Sequence, residues 1–233
     1  MAKRGRKASW RARIFALVLL VALAGGAWLW WGLQNWRPDE TAFPDQGVEV
    51  GAGDGVVNFR ILRATGASFA YLDASDGAAA QDARFGANLS AARTANLQVG
   101  AVHRFDPCSM ADGQSANFVT MVPRDPDLLP PAIELSRTAD DCPDRVSDAA
   151  VESELMTLIN QIEMHAGKPV ILKIDPGFEG RYRLAGMFER NLWLTRTRFQ
   201  PDYAGRPWLL WTANTALRTA ASDDPLRWVV AQP

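Results

Sequence analysis

Twenty consecutive uncharged residues, Ile14 to Leu33 (IFALVLLVALAGGAWLWWGL), divide this chain into two parts that cannot share one core. A helix of that length spans about 30 Å, the hydrocarbon thickness of a bilayer. Trp28, Trp30, Trp31 and Trp36 crowd its far end, where interfacial aromatic rings belong. Its near end follows six basic side chains and no acid in residues 1–13: Lys3, Arg4, Arg6, Lys7, Arg11 and Arg13. The positive-inside rule then predicts a single-pass inner-membrane protein. Residues 1–13 face the cytoplasm, and residues from about 37 onward are periplasmic or otherwise extracytoplasmic. A cleaved signal peptide with a small-residue site near Ala22-Leu23-Ala24 is the rival reading; the tryptophans beyond that site favour the anchor.

Beyond residue 13 the chain carries 19 basic and 26 acidic groups, a net charge of −7, which is not the balance of a nucleic-acid-binding domain. With 48% hydrophobic residues, it has enough apolar side chain for one good-sized core. Only two cysteines occur, Cys108 and Cys142, both in polar loops containing Pro and Asp. In an exported domain an even pair predicts a disulfide, with two separate buried thiols as the alternative. Two histidines and no Cys/His cluster give no reason to expect a metal site or a cofactor.

Residues 34–46 read as a polar, proline-containing linker, and 47–233 as one domain in which short apolar runs alternate with helical segments. Strands are predicted at Gly47–Val50, Ser68–Leu72, Val99–Phe105, Ala132–Leu135, Pro169–Ile174, Leu192–Thr195 and Trp208–Trp211, with Trp228–Val230 closing the set. Helices are predicted at 58–65, 82–95, 112–121 and 148–165. The last of these carries Val151, Leu155, Leu158, Ile159 and Ile162 at helical spacing, with Ser147 as its cap. Strands alternating with helices imply a parallel sheet, and this many units imply a barrel of the α/β class.

The segment LPPAIELS, Leu129 to Ser136, puts a lone carboxylate, Glu134, at the end of a short apolar strand. A charge there is unfavourable unless it is paired or used. The segment resembles the PP-x-x-D-x-E strand of the glycoside hydrolase family 25 muramidases, and the likeness continues in order along the chain. GVEV at 47–50 resembles the opening G-I-D-V, with Glu49 at the Asp position. FAYLDASDG at 69–77 resembles F-x-Y-x-K-A-T-E-G, with Asp73 at the Lys and Asp76 at the Glu position. DARFGANLSAA at 82–92, VGAVHRF at 99–105 with His103, QSANF at 114–118 and WLLW at 208–211 follow. The resemblance implies a flattened, TIM-like β/α barrel, a site at the C-terminal ends of its strands, and peptidoglycan glycan strands as substrate.

Both acidic positions of the strand motif are altered: Glu134 stands at the Asp and Ser136 at the catalytic Glu. A hydroxyl cannot act as the general acid that glycoside hydrolysis needs. Glu134 is then the best remaining acid, with Glu49 and Asp76 as companion carboxylates that raise its pKa. His103, Asp73, Ser136, Trp193 and Trp211 are the candidate substrate-binding residues, the tryptophans as sugar-stacking faces. Three readings follow: a membrane-anchored muramidase with altered acid chemistry, a catalytically inactive relative that binds glycan or an envelope partner through the barrel mouth, or a purely structural envelope domain with no ligand.

Overall fold

A computed structural model describes residues 10–233, so residues 1–9 of the expected basic segment lie outside the described residues. The chain divides into two units between Trp36 and Arg37. In the first, helix α1 (Trp10–Gln34) runs 25 residues with no buried side chain. It is the one helix among the described residues long and apolar enough to cross a membrane.

The second unit is a closed barrel. Its elements in order are β1 (Gln46–Val50), α2 (Phe59–Ala64), β2 (Ala67–Asp76), β3 (Ala80–Gln81), α3 (Phe85–Thr94), β4 (Gln98–Arg104), α4 (Ala111–Met121), β5 (Ala132–Leu135), α5 (Asp148–Ala166), β6 (Ile171–Ile174), α6 (Pro176–Tyr182), β7 (Asn191–Thr195), β8 (Leu210–Leu217) and β9 (Leu226–Ala231). Eight strands form the wall in the order β1-β9-β8-β7-β6-β5-β4-β2, and β1 pairs with β2 to close it; β3 is a short hairpin arm on β2. The wall is parallel except at β9, which runs antiparallel to both β8 and β1. The reason is connection length. Only residues 218–225 separate β8 from β9, and a parallel return needs a crossover of about a dozen residues or more.

Helices form where the sequence periodicity points. All five apolar positions of α5 are buried, Ser147 caps it by accepting from the Ala150 N–H, and Gly167 ends it in the left-handed conformation at φ 68°. On α3 the buried face is Phe85, Asn88 and Ala92. β8 begins at Leu210, two residues later than its apolar run, and continues through the polar Thr212, Asn214 and Thr215. Helix α6 was not expected, although Asp175 caps it through the Gly177 N–H and Pro176 supplies its first residue.

The lower half of the barrel, at the N-terminal ends of the parallel strands, is filled by Phe69, Tyr71, Ala132, Ile171, Trp193 and Leu210. The Tyr71 and Trp193 rings lie 5.0 Å apart. Gly100 makes room for this: a Cβ there would fall 2.2 Å from the Tyr71 ring. Residues 37–45, expected as a linker, pack onto the barrel. The Phe43 ring lies 5.7 Å from Trp211 and 6.3 Å from Trp208, the Arg37 guanidinium covers Trp228, and the Gln46 amide donates to the carbonyls of Pro38 and Phe43. At the opposite end, Cys108 and Cys142 form a disulfide between the loops that follow β4 and β5.

Candidate active site

The C-terminal ends of the parallel strands open into a cleft of about 570 Å³. An inner chamber of about 190 Å³ lies beside it, and the two share Glu134, Thr215 and Arg227. Strand register brings opposite charges together. Glu49 on β1 faces Arg227 on β9, Arg104 on β4 faces Glu134 on β5, and Glu134 faces Lys173 on β6. Because β9 is antiparallel, it is its beginning, with Arg227, that reaches the mouth.

Each charged end is joined to the next. The Lys173 ammonium donates to Glu49 Oε1 at 2.5 Å and to Glu134 Oε2 at 3.3 Å. The two carboxylate oxygens are therefore no more than about 5.8 Å apart, with the ammonium between them. Arg104 lies 3.4 Å from Glu134 and donates to Asp76 at 3.3 Å; Arg137 also donates to Asp76. Arg227 reaches Glu49 at 3.3 Å, Asp54 at 2.9 Å and Asp73 at 3.1 Å. Beneath the ammonium, 5.1 Å away, lies the ring of Trp193.

Burial and charge act in opposite directions on the two glutamates. Glu49 is fully buried, and that burial raises its pKa above the usual carboxyl value in spite of Lys173 and Arg227. Its second oxygen, Oε2, has no protein partner. Glu134 is also pushed up by burial, but Lys173 and Arg104 outweigh this and hold it down at about 2. The expectation that neighbouring carboxylates raise the pKa of Glu134 is thus overturned: its nearest charges are cations. Glu134 stays ionised near neutral pH and has no proton to donate.

The structure gathers Glu49, Asp73, Asp76, Glu134 and Ser136 around the two cavities. It does not bring the other three candidates there. His103 is fully buried, its Nδ1 2.8 Å from the Ser75 hydroxyl and its Nε2 3.3 Å from Gln114 Oε1. Burial lowers its pKa to about 4, so it is a neutral brace beneath the cleft wall. Trp193 is fully buried, with its indole N–H donated to Thr212, and forms the barrel core. Trp211 is buried against Phe43 and Trp208 and donates to the Arg196 carbonyl. Neither tryptophan presents a face to a sugar.

Lys173 and Arg227, which organise the mouth, are not among the residues expected from the sequence. Each had a visible signal: ILKI and LRWVV both put one cation inside an otherwise apolar strand.

Eight strands closed on themselves, helices outside, and ionisable side chains gathered at one rim define a TIM-like β/α barrel with its candidate site at the C-terminal ends of the strands. The sequence model of the family Glycosyl hydrolases family 25 matches residues 48–216, and the chain belongs to that family. A family 25 glycosyl hydrolase from Bacillus anthracis superimposes with a TM-score of 0.77 at 24% identity, over 86% of this chain and 93% of that one. The bacterial lysozyme from Streptomyces coelicolor gives 0.72 at 19% identity, over 81% and 92%. Lysozyme M1 from Streptomyces globisporus is 33% identical over 73 residues, 31% of this chain; the match spans a quarter (25%) of that relative's length.

Proposed function

We propose that this protein is a membrane-anchored family 25 barrel that holds peptidoglycan glycan strands at its mouth without cutting them. One observation carries the reading: the Lys173 ammonium occupies the gap between Glu49 and Glu134. Hydrolysis needs that gap for the glycosidic oxygen, with a proton donor on one side and a carboxylate on the other, about 5–9.5 Å apart. Here a cation fills it, Glu134 is held ionised, and Ser136 stands at the position of the family's acid. The mouth nevertheless remains open, so it retains room for a ligand.

Helix α1 supplies the anchor in this reading, with residues 1–13 cytoplasmic, 14–33 spanning the inner membrane, 34–46 connecting, and the barrel, 47–233, on the outer side. A family 25 domain facing outward meets peptidoglycan there.

A second reading is favoured by one specific feature. Glu49 is pushed up while Glu134 is pushed down, and divergent carboxyl pKa values are how glycosidases divide acid from base. An opening that withdrew Lys173 and admitted substrate to Glu49 would restore an acid. One assay separates the two. The full chain in detergent micelles is incubated with purified peptidoglycan, and both co-sedimentation and new reducing ends are measured. The binding reading expects co-sedimentation with no new reducing ends, for wild type, Glu49→Gln and Glu134→Gln alike. Reducing ends that disappear in Glu49→Gln would establish the second reading instead.

A further inference from the structure

We propose that the exposed ring of Phe199 is the sugar-stacking platform of the barrel mouth. This rests on the glycan-binding reading above and assigns that site a ligand-contacting residue. Hexose rings present flat C–H faces that bind against aromatic rings, while their hydroxyls take hydrogen bonds from polar groups. The mouth supplies the polar part: Ser136, Thr195, Thr212 and Thr215 line the inner chamber together with charged groups. At about 190 Å³ that chamber has the volume of roughly six waters, space for the polar substituents of one sugar ring. Neither cavity is lined by an aromatic ring.

The other aromatic side chains of the barrel are committed elsewhere. Trp193, Trp208, Trp211 and Trp228 are buried. The Tyr203 hydroxyl donates to the Ile174 carbonyl and accepts from the Thr195 N–H, and the Tyr182 hydroxyl accepts from the Ala139 N–H. Among the described barrel residues Phe199 is the one exposed aromatic ring, with 67% of its surface open. A single exposed apolar side chain is ordinary. What distinguishes this one is its place and how firmly it is held.

Thr195, at the end of β7, lines the inner chamber. The residues after it run on beside the mouth end of β8. The Arg196 N–H donates to the Thr212 carbonyl at 3.3 Å and the Arg198 N–H to the Ala213 carbonyl at 2.8 Å. The Thr197 hydroxyl lies 3.3 Å from that of Thr215, which lines both cavities. Arg198 then takes a left-handed backbone at φ 70°, unfavourable for a residue with a side chain, immediately before Phe199. The Arg196 guanidinium lies over the Phe199 ring at 5.8 Å and is itself held by Asp202 at 2.8 Å. The ring is thus exposed and backed by a cation, one residue beyond a segment bonded to the cavity wall. Such an ordered platform loses little conformational freedom on binding.

The test uses the full chain in detergent micelles, with purified peptidoglycan and a soluble β-1,4-linked N-acetylglucosamine tetrasaccharide as probes. Phe199→Ala is expected to weaken binding about tenfold or more, as truncating an aromatic hot spot does. Phe199→Trp is expected to bind at least as well as wild type. Met187→Ala, a change at another exposed apolar side chain, is expected to bind as wild type does. All three are expected to melt at the wild-type temperature. If Phe199→Ala binds as wild type does, the platform is refuted and glycan binding stands. If wild type binds neither probe, the glycan reading falls and the platform with it. If Phe199→Ala and Phe199→Trp both bind weakly and both melt early, the ring is structural and the proposal is overturned.

Discussion

The two ends of the barrel interior are built from different chemistry on the same strands. At the lower end β2, β6 and β7 contribute Phe69, Tyr71, Ile171 and Trp193 to an apolar plug. A few residues further along, β2 and β6 contribute Asp73, Asp76 and Lys173 to a chain of ion pairs. Apolar packing is non-directional and tolerates exchange of shape at constant volume. An ion cluster depends on each partner, because removing one leaves a buried charge. The lower end therefore maintains the barrel, while the upper end is free to change its chemistry provided that its charges still balance.

The comparison breaks first if the plug is not what holds the barrel. Trp193→Ala is expected to destabilise by about 3–5 kcal/mol in urea unfolding; a loss below about 1 kcal/mol would show that the core lies elsewhere. Next comes the partner dependence at the mouth. Lys173→Met leaves Glu49 buried with Arg227 as its remaining contact and is expected to cost about 3 kcal/mol. Adding Glu49→Gln should restore most of that loss, because the pair is removed together. A double variant no more stable than the single one would mean that Lys173 acts by packing on Trp193 rather than by charge.

The pH dependence sharpens the same distinction. Glu134 is held at about 2 against an ordinary value of 4.5, so its contribution is fully present above about pH 5 and is lost as the pH falls toward 2. That loss is on the order of 2–3 kcal/mol. Glu49, pushed the other way, contributes with the opposite sign: its effect on stability worsens as the pH rises above the ordinary carboxyl value. Unfolding midpoints between pH 7 and 3 should accordingly fall more steeply in wild type than in Glu134→Gln, and less steeply in wild type than in Glu49→Gln. The smallest effect belongs to the rim. Arg137 is 43% exposed, and Arg137→Ala is expected to change stability by less than about 1 kcal/mol. A larger loss would extend the cooperative cluster out to the surface.

The plug was more legible in the sequence than the mouth. β5 occupies the predicted residues, and the apolar face of α5 is the predicted one, because local periodicity and burial agree there. The order of altered motifs also led to the right family and barrel. The disagreements arise where non-local pairing decides. The direction of β9 depends on the length of the connection before it. β8 runs on through polar residues because its far half is cavity wall. At the mouth, Glu49, Glu134 and Ser136 line the inner chamber, as their places at strand ends suggest. Their electrostatics were read with the wrong sign, because Lys173 and Arg227 come from strands 39 and 93 residues beyond Glu134. The tryptophans misled for a related reason: alternation along a strand does not say whether the inward face meets a cavity or a core.

The antiparallel closing strand has a mechanical consequence. Gln46 pairs with Val230 and Glu49 with Arg227, so the start of β1 and the end of β9 leave the barrel side by side at its lower end. Tension applied between those two ends would peel the pair open one hydrogen bond at a time, at low force. Tension between the start of β1 and a ligand gripped at the mouth would run along the strand axis. The ladders joining β1 to β2 and β9 would then be loaded in shear, with many bonds sharing the pull at once. Once residues 37–45 were lifted off the barrel, a pull entering at Gln46 against a load at the mouth would act in its mechanically strong direction.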